Sequence, residues 1–549
     1  MPALALRGAA VHAGSGARAA RVGIWAIDER FAELFPGDAA AAELGLERRR
    51  GQLFPSVAIN AALARELAAA PGDEMLIQFE RQGEVPRATL LGDGDPSSTL
   101  QSLRLTVTAV LPDRGVGRFS LAANQTLPLN AFVELGLLQR RLDRPGEVNA
   151  VLLTSASGGT QANPAGIGEE RLRDALALED VGLQLLRGDG WLALESREFV
   201  LREPVAEAAL QLAAEQGRAA LPILTHLANR METADRLLPY STVTALPLPV
   251  PEGLGEWQPQ ETAEPRSVWP DVAPLILNRW AADELAAAPG DRIRMSYYEV
   301  GVDDALATAE ADFQVVGVLP MSGLGADRAL TPDFPGIADA ERISDWDPPF
   351  PVDLGLVRSA DEEYWQRWRG APKAFVPLAA GQELWGSRFG ALTAVRIGLH
   401  PGEDSAAADA ALAAELERRL SPGAVGLTLL PVREQGLAAA SGTTSFGGLF
   451  VGFSLFLIVS SALLVALLFR LGTERRAGEL GVRLAAGFPL RSVRRMLLAE
   501  GTVLAVTGGL LGIALAALYG RVVLAGLSSW WAPILSSPFV RGTARELLR

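Results

Sequence analysis

Any chemistry in this chain has to be built from three histidines, one lysine and no cysteine. His12, His226 and His400 are far apart and form no H-E-x-x-H or other metal-ligand spacing. The lack of cysteine excludes disulfides, thiolate catalysis and cysteine-ligated metals. A phosphate-binding loop needs a lysine after glycine to hold the phosphates. The single lysine, Lys373, sits in GAPKAFV with no upstream G-x-x-x-x-G, so no nucleotide hydrolysis can be placed on this chain. SGGTQ at 157–161 reads as a Ser/Gly turn, G-x-S-x-G is missing, and the DWD cluster at 345–347 reads as solvated loop carboxylates. No catalytic residue, metal or cofactor is expected. The other basic residues are all arginine, 49 of them, which fits a GC-rich coding bias better than a polyanion site.

The elements that stand out are apolar. Phe446–Phe469 is a run of 24 residues without charge. As a helix it would reach roughly 36 Å, enough for a hydrocarbon core of about 30 Å. Thr502–Tyr519 is a second uncharged run, of 18 residues, reaching roughly 27 Å. The linker between them, 470–500, carries seven arginines (Arg470, Arg475, Arg476, Arg483, Arg491, Arg494, Arg495) against Glu474, Glu479 and Glu500. Short cytoplasmic loops carry such an excess, so the linker is expected inside and residues 1–445 outside. Residues 446–549 hold 11 basic and 4 acidic residues, leaving a net charge of −21 on residues 1–445. An acidic exterior of that size repels nucleic acid. The first 25 residues contain no apolar run long enough for a signal peptide or anchor. A helix ahead of Met1 is therefore expected, in a longer protein. Trp530 and Trp531 read as interface anchors.

The exterior repeats itself. ELAAAPGD occurs at Glu66–Asp73 and again at Glu284–Asp291, and Asn60 matches Asn278 at the same offset. Each copy reads as strand, Asn turn, Ala-rich helix, Pro-Gly-Asp turn and alternating strand. LTVTAVLP at 105–112 and FQVVGVLP at 313–320 follow, with a shortened offset that places an insertion or deletion in the GDGDPSST region. A third, weaker correspondence pairs VNAVLL at 148–153 with LTAVRI at 392–397. The fold class expected is an extracytoplasmic α+β region with two related strand–helix–strand units, then two transmembrane helices joined by a cytoplasmic helical linker. The expected boundaries are 1–155, a helical and Pro-rich middle at 156–269, 270–445, and a membrane domain at 446–549. The stretch 202–231 reads as one or two helices, and the stretch after Pro239 as a loop.

The linker reads as two amphipathic helices broken at Phe488-Pro489. Such a pair can lie on lipid phosphates or seat in a partner protein. The segment ERRAGELGVRLAAGFPLRSVRRMLLAEG (474–501) followed by TGGLLG (507–512) resembles FtsX/MacB-type ABC transporter permeases. The residues carrying the resemblance are Glu474, Arg475, Glu479, Gly481, Gly487, Leu497, Glu500, Gly508 and Gly512, in that order. It covers about 75 of the 549 residues. The family has a membrane helix before its external domain, and four-helix members have another after the third. The chain is accordingly expected to lack the first and last membrane helices.

The resemblance implies a permease subunit in the bacterial inner membrane. A separate cytoplasmic ABC ATPase, a second permease copy and membrane lipid would be its partners, with no nucleic acid. It implies ATPase coupling through Glu479, Gly481, Arg483 and Gly487. Separately, the G-x-x-x-G spacing at Gly448/Gly452 and Gly508/Gly512 reads as helix packing, against sibling helices or a second permease copy. The rival expectation is a membrane-anchored extracytoplasmic binding or sensor protein that transports nothing.

Overall fold

The computed structural model describes residues 1–42, 44–46, 52–80, 100–122, 126–154, 171–262, 272–300, 306–334, 336–441 and 446–530. SGGTQ, the GDGDPSST stretch and Trp531 lie outside them. The chain divides into two compact units, Met1–Ile77 with Leu103–Thr154 and Leu430–Arg549, and Gln78–Ser102 with Ser155–Leu429.

The first sheet contains β1 (Pro2–His12), β2 (Arg18–Ile27), β3 (Ser56–Asn60), β4 (Glu74–Glu80), β5 (Leu100–Leu111), β6 (Asn130–Glu134) and β7 (Ala150–Val151). The helices in this stretch are α1 (Ala39–Ala42), α2 (Ala61–Leu67) and α3 (Leu135–Leu142). The strand order is β2-β6-β3-β5-β4-β1-β7, and β1 also pairs with β2, so six strands close into a ring. Closure removes the free edges that would recruit other chains. One core cluster of this sheet gathers Trp25, Ile27, Phe31, Val116 and Phe132, with Phe31 edge-on to Phe119 at 5.0 Å.

The second sheet contains β8 (Leu183–Arg187), β9 (Trp191–Ser196), β10 (Ala220–Glu232), β11 (Leu237–Leu246), β12 (Ala273–Asn278), β13 (Arg292–Val300), β14 (Leu306–Leu319), β15 (Ala374–Pro377) and β16 (Ala394–Gly398). Its helices are α4 (Glu203–Glu215), α5 (Arg279–Leu285), α6 (Ser359–Trp368), α7 (Leu378–Trp385) and α8 (Ser405–Arg419). The order is β11-β15-β12-β14-β13-β10-β16-β9-β8, with β10 also pairing β11, so six strands close into the same ring.

The correspondence is residue by residue. Asn60 and Asn278 cap their helices by accepting from Leu63 N (3.1 Å) and Ala281 N (2.8 Å). Both helices end on an alanine in the left-handed region, Ala68 at φ 50° and Ala286 at φ 47°. Asp73 and Asp291 each accept from the backbone N–H three residues back at 2.8 Å. Gly72 N donates to Val107 O and Gly290 N to Val315 O, again both at 2.8 Å. Pro-Gly-Asp is therefore turn chemistry, with glycine supplying φ of +101° and +108°. The weaker third match holds as well. Ala150 pairs with Ala3 on β1, and Ala394 pairs with Ile223 on β10. Asn149 Oδ1 accepts from Ala5 N, as Thr393 Oγ1 accepts from Thr225 N.

The middle segment departs from the helical and Pro-rich expectation. Only Glu203–Glu215 in the 202–231 stretch is helical, and β10 and β11 occupy Ala220–Glu232 and Leu237–Leu246. Gly217, at φ +64°, stops α4, and Pro222 cannot donate within a helix that resumed there. α4 and α8 share one core cluster with β9 and β16, where Val205, Ala209, Leu212, Leu412 and Leu416 meet Leu192, Leu194, Val395 and Ile397. Fully burying one such leucine contributes about 2 kcal/mol. An aspartate at Leu212 would unseat the layer.

After α9 (Val432–Ser441) the chain becomes α10 (Phe446–Arg475), α11 (Ala477–Ala485) and α12 (Leu490–Trp530). α10 and α12 are long and apolar enough to cross a membrane, and their apolar windows are wholly unburied within the chain. Side chains such as Phe450, Phe456, Leu464, Leu511 and Ile513 are more than half exposed. In water that surface would be untenable; in lipid it is the expected exterior.

Candidate coupling site

The turn between the two apolar helices is built from local signals. Arg476, with φ −95° and ψ 9°, joins α10 to α11. Its Nη1 reaches the carboxylate of Glu500 on α12 at 2.9 and 3.1 Å. That hydrogen bond raises the Arg476 pKa further and keeps the group charged. Arg470 pairs one turn ahead with Glu474 at 3.0 Å. α11 ends on Gly487 at φ +88°, where Phe488 N donates back to Arg483 O at 3.2 Å. A left-handed glycine after the last turn is the standard helix stop, and Pro489 then prevents continuation. Arg483 Nη1 lies 2.9 Å from Met496 Sδ, and Val493, 7% exposed, is the buried contact of this hairpin.

The sequence-predicted coupling residues are thus brought together on one short helix and its stop. Glu479 lies in the first turn of α11 and is exposed, and Gly481 is exposed, with open space for 4 Å around the point where a Cβ would stand. Arg483 faces α12, and Gly487 sets the turn. The packing glycines behave differently. A Cβ at Gly452, Gly508 or Gly512 would meet nothing within 4 Å, and Gly448 is exposed. Gly452, Gly508 and Gly512 therefore do not form the α10–α12 contact. That close approach is at Gly501, where a Cβ would lie 3.2 Å from the Phe469 ring. The only sequence signal for it was a glycine directly before an apolar run.

In the outer sheets, the groups that could do chemistry serve packing. Lys373 is 4% exposed, with Nζ 5.1 and 5.2 Å from the Trp280 and Tyr364 rings and 3.5 Å from the Pro239 and Tyr240 carbonyl oxygens. Burial lowers its pKa to about 8. His226 stacks on Trp385 with ring centroids 5.2 Å apart, and burial lowers it to about 4. Arg396, fully buried, lies 3.7 Å over Trp191 and donates to Asp327 at 2.9 Å and Leu254 O at 3.2 Å. Glu195, on the neighbouring strand, is pushed up to about 7, chiefly by burial. Sequence reading singled out neither Arg396 nor Glu195, because one charge within an apolar strand has no pattern around it. Among the described residues, no group of three His, Asp or Glu side chains is placed to hold a metal ion.

Residues 451–540 match the family model for the FtsX-like permease C-terminal domain. The match takes in α11, α12 and most of α10, the segment whose ordered linker residues carry the resemblance. No curated protein matches the chain. Among solved structures, the chain is similar to the periplasmic region of MacB from Actinobacillus actinomycetemcomitans, with 12% identity, 45% of this chain and 87% of that chain covered, and a TM-score of 0.23. It is also similar to the extracellular domain of the noncanonic ABC-type transporter YknZ from Gram-positive bacteria, with 12% identity, 42% and 88% covered, and a TM-score of 0.23.

Proposed function

We propose that this chain is the permease subunit, or part of one, of an ABC transporter. A separate ATPase would drive movement of its extracytoplasmic region, residues 1–445, for export, for lipoprotein or lipid handling, or as a mechanical transmission. The observation that carries this reading is the FtsX-like match over an exposed amphipathic helix held between two apolar helices. α11 is the coupling element. Glu479 and Gly481 present a surface to the ATPase, Arg483 keeps α11 against α12, and Gly487 fixes the angle between them. The small-residue faces at Gly452, Gly508 and Gly512 pack against helices from outside this chain, including a second permease copy. No catalytic role is assigned to any residue.

Co-purification of the full-length protein with a Walker-motif ATPase tests the reading. Failure to recover any ATPase would favour the anchored binding or sensor protein. Topology is tested separately. A reporter active only in the cytoplasm should work when fused near Gly487 and fail near Gly381. The reverse pattern would overturn the inside assignment of residues 470–500.

Glu479→Arg should weaken ATPase capture at least tenfold while membrane abundance is unchanged. It reverses an exposed charge without touching an apolar span, and like charges at an interface cost several kcal/mol. Pull-down at matched permease level is the measurement. Undiminished capture would mean that this face of α11 does not meet the ATPase.

A further inference from the structure

The arginines of the linker fall into two classes. Arg470 and Arg476 are neutralised within the chain, by Glu474 and Glu500. Arg483 is turned onto Met496. Arg475, Arg491, Arg494 and Arg495 are exposed and make no ion pair or hydrogen bond within the chain, among the described residues; of these, Arg491 lies a turn further from the apolar run of α12 than Arg495. The first turn of α12 offers them no acidic residue.

Arg475 is the last residue of α10, and Arg494 and Arg495 lie near the start of α12. Arg476, the neighbour of Arg475, reaches Glu500 at 2.9 Å, so the end of α10 lies beside the Glu500 turn of α12. Arg495 is five residues before Glu500, roughly 7 Å along the helix axis. The residues between are Met496, Leu497, Leu498 and Ala499, all apolar, and the lone carboxylate that follows them is already paired. Apolar surface thus continues from the uncharged run almost to Arg495. Arg475, Arg494 and Arg495 are thus unpaired cations on the helix ends next to that apolar surface.

We propose that Arg475, Arg494 and Arg495 bind the phosphates of anionic phospholipids where α10 and α12 leave the bilayer. The inference rests on the reading that α10 and α12 span a bilayer. Guanidinium groups match phosphate oxygens with paired N–H donors, and a long arginine stem keeps its charge at the head-group level while covering apolar surface. Charge complementarity favours this occupant. Three unpaired cations beside an apolar belt match a negative head group carrying two acyl chains. A zwitterionic head group cancels most of that attraction, and free phosphate leaves the apolar part unused. The paired residues Arg470 and Arg476 have no charge left to offer.

The test uses the full chain reconstituted in phosphatidylcholine vesicles containing spin-labelled phosphatidylglycerol or spin-labelled phosphatidylcholine. Alkaline extraction comes first. Release of the chain would overturn the spanning reading, and this proposal with it. With the chain retained, the motionally restricted lipid fraction gives the preference for phosphatidylglycerol. The unchanged protein should show at least a fivefold preference, about the contribution of one arginine at a membrane surface. R475Q/R494Q/R495Q should bring it to near unity, while R470Q should leave it intact. Saturating inorganic phosphate should not abolish it. No preference in the unchanged protein, an undiminished preference in the triple variant, equal loss in R470Q, or full competition by phosphate would each overturn the proposal. The first two outcomes would assign the cluster to a protein partner instead.

Discussion

Asn60→Ala and Asn278→Ala should each destabilise their own sheet by about 3 kcal/mol, Asn60→Ala the more. Both asparagines are fully buried. Asn60 accepts from Leu63 N and Asn130 N, and its Nδ2 donates to Gly117 O at 2.9 Å and Pro128 O at 2.6 Å. Asn278 accepts from Ala281 N and donates to the Tyr364 hydroxyl and Pro372 O, both at 3.0 Å. Alanine removes a helix cap, worth about 1 kcal/mol, and leaves buried polar groups unpaired at about 1–3 kcal/mol. Aspartate separates the two contributions. It keeps the cap but has no N–H for the carbonyl oxygens, so it should not rescue either position. Hydrogen exchange on the full chain, read peptide by peptide, measures each sheet independently. Rescue by aspartate would show that capping alone matters.

Lys373→Met should stabilise the second sheet at pH 7 by about 2 kcal/mol. The folded-state pKa is lowered to about 8 by burial, below the ordinary value of 10.5. Below pH 8 the ammonium is charged in both states and the full burial penalty applies. Between pH 8 and 10.5 the folded protein releases its proton first, and the penalty fades. Above 10.5 both forms are neutral and it is gone. A depression of that size corresponds to about 3 kcal/mol at most. Contacts with Trp280 and Tyr364 offset about 1 kcal/mol of it. The advantage of methionine should therefore shrink as pH rises from 8 to 10.5. Local exchange protection of β15 at pH 7 and 9, in variant and parent, is the measurement. A variant less stable at both pH values would mean that the carbonyl contacts outweigh desolvation.

The repeat was legible because its signals are chemical and local. An asparagine before Ala-rich residues caps a helix, Pro-Gly-Asp turns the chain, and the strands behind them alternate. The apolar helices were legible from length and charge alone. β10 and β11 were not. Pro239–Leu246 is buried at every position, so β11 shows no period of two, and the apolar spacing of α4 runs on into β10 until Gly217 and Pro222 are given their weight. Ring closure was invisible too, because it needs β1 beside β4 and β2 beside β6, far apart in sequence. At the coupling site, the sequence named the helix and its stop but not the contact at Gly501. A glycine becomes a packing position only once Phe469 is known to stand opposite.

The two rings also impose an order on synthesis. All six strands of the first ring have left the ribosome once residue 134 is free, whereas the second cannot close before residue 377. At about 5–20 residues per second that gap lasts roughly 12–50 s. In its second half, the β10–β11 hairpin has emerged while β15, which pairs along the far side of β11, has not. A nascent chain halted in this window carries one finished ring and an open strand edge. Such an open edge makes the halted intermediate prone to aggregate.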